Sequence, residues 1–211
     1  MYAMQSRLVC HCIGCDQTIE SAVQQLVQRW GFEFAFHADV GEFQDAGDLS
    51  KTGCVVVGSG HEGELMSALE SVASPLTVVV LTKHPDTRMT VSAIRRGASE
   101  VLEWPTESSH LPAALEQACA GSLQKQQRMA EAAAAQKRLA QLTDGERDVL
   151  QLMLNGKVNK NIASRLGIAL RTVEARRKRV FTKLGTRSLG EIAAVMQTSG
   201  LLVASTLVSL N

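Results

Sequence analysis

Residues 159–184 read NKNIASRLGIALRTVEARRKRVFTKL. Asn159–Leu166 and Arg171–Leu184 are helix-forming runs, and Gly167-Ile168-Ala169-Leu170 between them is a short turn containing glycine. Two helices joined this way make a helix-turn-helix. Ile162, Ala163 and Leu166 can pack inward from the first helix. Val173, Val180 and Leu184 stand at i, i+7 and i+11 and form the buried stripe of the second. The opposite face is expected to carry Glu174, Arg176, Arg177, Lys178 and Arg179. One apolar stripe backed by clustered cations suits a major groove lined by phosphates. A charge run is more often just a solvated helix face, so the reading needs support from the flanking sequence.

That support is present on both sides. Thr143 and Glu146 form a T-x-x-E capping box ahead of the apolar run Val149–Leu154, which Gly156 closes. Ser188 and Glu191 repeat the pattern before a fourth helix that ends near Thr198. Charge is partitioned in the same direction. Residues 1–142 carry a net −5 and residues 143–211 a net +6, inside a total of +1. A basic C-terminal part joined to an acidic N-terminal part points to nucleic acid at the C-terminal end.

Upstream, short apolar runs alternate with amphipathic ones. Leu8–Ile13, Glu33–His37, Gly53–Val57, Thr77–Thr82 and the brief Val101–Leu102 read as strands. Gln17–Trp30, Glu62–Ala73 and Asp86–Arg96 read as helices, the last stopped by Gly97. Five strands alternating with helices imply an α/β doubly wound, parallel sheet. Ser109–Leu142 turns helical and polar, and Ala132–Ala135 within it are strong helix formers with little core-forming mass. At 211 residues the chain suits two small domains, and 45% apolar residues is ordinary for a folded soluble protein.

No apolar run approaches the roughly 20 residues that span a bilayer, and no secretory pattern opens the chain. The expected location is the cytoplasm. The tail Leu201–Leu210 is apolar but short. Five cysteines is an odd number that makes no disulfide framework. No Ser/His/Asp set, phosphate loop or carboxylate pair suggests an enzyme, and no cofactor or metal is expected.

The residues Leu142-Thr143, Glu146-Arg147, Val149-Leu150, Gly156, Asn159-Lys160, Ile162-Ala163, Leu166, Ile168, Arg171-Thr172-Val173-Glu174 and Lys183-Leu184 resemble the LuxR-type helix-turn-helix of FixJ/NarL response regulators. The resemblance implies that Glu174, Ala175 and Lys178 face bases. It implies that Asn159, Lys160, Thr172, Arg176 and Arg179 hold phosphates or fix register. It further implies a homodimer on a pseudo-palindromic double-stranded DNA site, with the helix around Glu191–Met196 used for dimer contact. One position departs: the family carries Ser or Thr where Ala169 stands. Losing that cap costs roughly 0.5–2 kcal/mol.

The order of elements, Thr82, Gly97-Ala98 and Pro105 resemble a receiver domain of flavodoxin-like type. The expected division is a receiver-like domain over residues 1–120, a helical linker over 121–142, and a four-helix LuxR-type domain with its tail over 143–211. The receiver's functional positions are altered. Gly14 and Cys15 stand where an acidic pair holds Mg²⁺, Gly58 where an aspartate accepts the phosphoryl group, and Trp104 where a lysine precedes proline. Of that pocket only Asp16 and Thr82 remain. Glycine has no nucleophile, and one carboxylate is a poor magnesium site.

The expected function is therefore a sequence-specific transcription regulator whose receiver works without phosphorylation. Other readings stay open. An unidentified ligand or partner protein could bind at the strand ends, where open α/β sheets bind things. The Cys10, Cys12 and Cys15 cluster, with its C-x-x-C, could sense redox state. The chain could also be an adaptor that no longer binds DNA.

Overall fold

The structure is a computed structural model and describes residues 8–105 and 110–199. Two compact units, residues 1–127 and 128–211, divide the chain. The first is built from β1 (Val9–Ile13), α1 (Gln17–Arg29), β2 (Glu33–His37), α2 (Val40–Ala46), β3 (Gly53–Gly58), α3 (Glu62–Ser71), β4 (Thr77–Thr82), α4 (Thr87–Arg95) and β5 (Ala98–Glu103). The helix α5 (His110–Ala140) runs through the division. The tail Leu201–Leu210 and the start of the expected linker helix at Ser109 lie outside the described residues.

The five strands form one parallel sheet in the order β2-β1-β3-β4-β5. The continuous apolar runs of β3 and β4 follow from burial on both faces, since crossover helices cover each side. One face packs Cys10, Cys12, Val56 and Leu81 against Val23 and Val27 of α1 and Leu115 and Ala118 of α5. The other packs Val55, Val57 and Val80 against Phe43 of α2 and Leu65 and Leu69 of α3.

Two elements exceed the sequence expectation. β5 spans six residues rather than two, because Ser99 and Glu100 on this edge strand interrupt its apolar pattern. The helix α2 has no helical periodicity to announce it, since only Val40 and Phe43 are buried. Its start is held by polar contacts: Asp39 Oδ1 accepts from the Glu42 amide at 2.9 Å, and Glu42 Oε2 from the Ala38 amide at 2.6 Å.

The second unit holds α6 (Asp144–Leu154), α7 (Asn159–Leu166), α8 (Leu170–Leu184) and α9 (Leu189–Thr198). Its core is Val149, Leu150, Met153, Ile162, Val173, Val180, Leu184 and Ile192, closed by Leu139 and Leu142. The Thr143–Glu146 capping box is formed in full. At α9 only half the box is present. Ser188 Oγ accepts from the Glu191 amide at 3.2 Å, while the Glu191 carboxylate accepts from the Arg187 amide at 2.7 Å. Gly167 ends α7 at φ 64°, a left-handed position that admits the tight turn into α8.

Candidate functional site

The helix α8 is anchored by Val173, Val180 and Leu184, all fully buried. Helical spacing then sends Arg171, Glu174, Ala175 and Lys178 to the opposite side, with Arg179 beside them, and all five are exposed. No ion pair among the described residues engages Arg171, Lys178 or Arg179. The same spacing corrects the expectation that Arg176–Arg179 all share the outer face. Successive residues turn by about 100°, so Arg176 and Arg177 swing to the flanks and are half-buried. Arg176 Nη1 donates to the Gly145 carbonyl at 3.4 Å. A β-carbon on Gly145 would lie 2.6 Å from that nitrogen, so the guanidinium rests directly on this glycine.

The neighbouring helix contributes Lys160, which is exposed, and Asn159, which is half-buried in its first turn. Thr172 is half-buried near the start of α8. Ala169 occupies the N-cap with extended backbone and contributes no capping hydrogen bond. The sequence did not announce the tie between α6 and α8. Glu146 Oε2 accepts from Lys183 Nζ at 2.6 Å and from the Thr143 amide at 2.9 Å, and Lys183 also donates to the Gln141 carbonyl at 3.0 Å. The ammonium and the capping amide together hold the Glu146 carboxyl below the usual carboxylate range.

In the first unit, a cavity of about 500 Å³ opens at the carboxyl ends of the strands, lined by Gly14, Asp16, Gly58, Thr82, Lys83 and Trp104 among others. Cys15 is excluded from it. Its side chain is buried, and Sγ donates to the Ile13 carbonyl at 3.4 Å. Asp16 is spent locally: Oδ1 caps α1 through the Thr18 and Ile19 amides, each at 3.1 Å, and Oδ2 lies 3.5 Å from Lys83 Nζ. The Thr18 hydroxyl and the Ile19 amide hold its pKa down, with help from Lys83. Trp104 Nε1 donates to Thr18 Oγ1 at 3.4 Å at the rim, and the Trp104–Pro105 peptide is cis.

Two close contacts, one with backbone and one with a side chain, lie at the floor of this pocket. A β-carbon at Gly58 would lie 2.4 Å from the Gly14 carbonyl oxygen. Gly14 itself sits at φ 59°, and a β-carbon there would lie 2.6 Å from the His61 ring. A side chain at position 58 is therefore incompatible with the loops as they stand, and one at position 14 would need a left-handed backbone and a shift of the His61 ring.

The five thiols are buried in the core layer shared with α1 and α5. Hydrogen bonding to Cys15 and burial push the Cys12 thiol far up, and contact with Cys54 and burial do the same for Cys119. The Cys12 and Cys119 thiols therefore stay protonated at neutral pH.

Residues 140–196 match the family of bacterial regulatory proteins described as the luxR family. Over 93% of its length, the chain is 31% identical to the transcriptional regulatory protein FixJ of Azorhizobium caulinodans, covering 95% of that protein. The chain belongs to the FixJ-type response regulators. A second FixJ, from Bradyrhizobium diazoefficiens, is 32% identical over 90% of the chain and 95% of its own. Among solved structures, the response regulator StyR superposes with a TM-score of 0.75 at 28% identity, over 91% of this chain and 99% of that one. The doubly wound unit is thus the receiver of this response regulator, and the helical unit is its LuxR-type domain. Among the described residues no helix is long and apolar enough to cross a membrane.

Besides the Glu146–Lys183 tie, three contacts of this response regulator carried no readable signal in its sequence. They are the Arg176–Gly145 stack, the Lys83–Asp16 pair and the fit of Gly58 on Gly14. Each joins residues far apart in the chain.

Proposed function

We propose that this response regulator binds double-stranded DNA in a sequence-specific manner as a homodimer, and that its receiver operates without phosphorylation. The observation that carries the DNA reading is the exposed arc of Arg171, Lys178 and Arg179 over the buried stripe of α8, an arc that no ion pair among the described residues engages. In this reading Glu174, Ala175 and Lys178 reach base edges. Asn159, Lys160, Thr172 and Arg179 grip the phosphates. Arg176 fixes register from its seat on Gly145. The site is pseudo-palindromic, with half-sites about one helical turn apart. A salt-dependent gel shift tests this: binding that weakens steeply with salt is expected, and indifference to DNA at low ionic strength refutes it in favour of an adaptor.

Phosphorylation independence rests on the pocket's donor set. Magnesium wants several oxygen ligands, and the one carboxylate among the positions that would hold it is already engaged by α1 and Lys83. The residues present do not fit the ion. Gly58 supplies no nucleophile, and the Gly14 carbonyl fills the space a side chain there would need. Incubation with acetyl phosphate and Mg²⁺ is expected to change neither mass nor DNA affinity. A phosphorylated species, or a gain in affinity with beryllofluoride, overturns the reading.

A second reading is favoured by the cavity itself, whose volume suits a small ligand or a partner's side chain resting against Trp104. The redox reading draws no support from thiols that are all buried, with the Cys12 thiol pushed far up.

A further inference from the structure

The helices α7 and α8 carry eight cations, two on the first and six on the second, and a single acid, Glu174. The other four acids of residues 143–211 are Asp144, Glu146, Asp148 and Glu191, on α6 and α9. Asp144, Glu146 and Glu191 sit in first turns, where the helix dipole favours negative charge. Glu174 has no such station, since the first turn of α8 holds no acid. It is exposed. Arg171 precedes it by three residues and Lys178 follows it by four, spacings at which helix side chains can pair. Yet no ion pair among the described residues engages it.

A carboxylate on this helix meets the phosphates of any duplex with repulsion, at a cost that does not depend on sequence. Only a hydrogen-bond donor on a base can repay it. In the major groove guanine presents two acceptors, N7 and O6, and thymine an acceptor and a methyl group. Adenine has a donor at N6, but its N7 acceptor lies beside it and repels the second carboxylate oxygen. Cytosine presents a donor, the N4 amino group, with no acceptor next to it on its own edge.

We propose that Glu174 is a specificity-determining residue of this regulator and that the base it reads is cytosine, through the N4 amino group. This role rests on the DNA reading above and adds to it the identity of a base. Cytosine is attracted, while the acceptor edges of guanine and thymine are repelled. One side chain thus favours the preferred site and disfavours the rest. Arg171 and Lys178, on either side along the helix, offset the phosphate repulsion that the carboxylate brings. The charge of Glu174 therefore lowers affinity for every sequence and decides the choice at one position.

Selection of bound duplexes from a randomised pool by the full-length protein tests this role. Wild type is expected to enrich a site with cytosine at one fixed position. Glu174→Gln should move that position to adenine, whose N6 and N7 a glutamine amide matches. Glu174→Ala should lose the preference there and bind random duplex more tightly than wild type. In the selected duplex, a cytosine analogue lacking the N4 amino group should weaken wild type about tenfold and leave Glu174→Ala unmoved. The analogue decides the matter with wild type alone even if a variant folds poorly. The proposal is overturned if all three proteins enrich the same bases, or if the analogue at each cytosine of the site leaves wild type unaffected. Enrichment of no sequence at all refutes the DNA reading and this role with it. Enrichment of a site indifferent to residue 174 refutes this role alone.

Discussion

Glu146 and Lys183 meet at 2.6 Å, joining the first turn of α6 to the last turn of α8. The carboxylate also closes the capping box on Thr143, so one side chain sets the helix start and fixes the cationic helix against it. Glu146 is almost wholly buried. Glu146→Ala removes a cap and leaves Lys183 without its carboxylate, so a loss of about 2–4 kcal/mol is expected in urea denaturation. The carboxyl titrates below its ordinary value. Its contribution is therefore complete above about pH 4.5 and is lost as pH falls through the lower native value.

A second acid effect belongs to the receiver. His11 Nδ1 and His37 Nε2 lie 3.0 Å apart, and both rings meet Phe43 edge-on. Burial, and then the neighbouring imidazole, lower the His11 pKa from 6.5 to about 4. Above pH 6.5 the ring is neutral in both states and adds no pH dependence. Between 6.5 and about 4 the unfolded chain takes up a proton that the native one refuses, so stability falls as pH falls. At about 1.4 kcal/mol per pKa unit the loss is on the order of 3 kcal/mol. Urea midpoints across this range should show the slope, and His11→Gln should flatten it. An unchanged slope would count against the buried pair.

On α8, Lys178→Ala and Arg179→Ala should behave differently. Loss of a base contact at Lys178 is expected to cost roughly 1–3 kcal/mol on the preferred site and to relax its sequence preference. Loss of Arg179 should weaken every sequence alike and reduce the salt slope by about one. Titrations against specific and random duplexes at several salt concentrations separate the two patterns. Identical behaviour would refute the assignment of base-facing positions.

Ala169 offers a gain of function in stability. Its backbone is extended at φ −65° and ψ 146°, as an N-cap requires, and its methyl group caps nothing. Ala169→Ser is expected to stabilise the second unit by roughly 0.5–2 kcal/mol, read as a higher urea midpoint.

The parts legible in the sequence were those written in local pattern. The i, i+7, i+11 stripe of Val173, Val180 and Leu184 fixed the buried side of α8, and the β-branched runs of β3 and β4 announced a sheet covered on both faces. What stayed hidden was non-local or polar. The helix α2 is held by Asp39 and Glu42 rather than by an apolar stripe. Arg176 looked like one more outward cation until Gly145 came beneath it through tertiary packing. The glycines at 14 and 58 read as missing chemistry, whereas their tight fit against each other is a property of two loops brought together by the sheet.

The layer that gathers Cys10, Cys12, Cys15, Cys54 and Cys119 makes the receiver its own stopwatch. A thiol reagent added to the native protein can report only on molecules that have momentarily parted that layer. The rate of labelling, followed cysteine by cysteine, would chart the order in which the domain comes apart. Cys15, nearest the rim at 9% exposure, should be marked first.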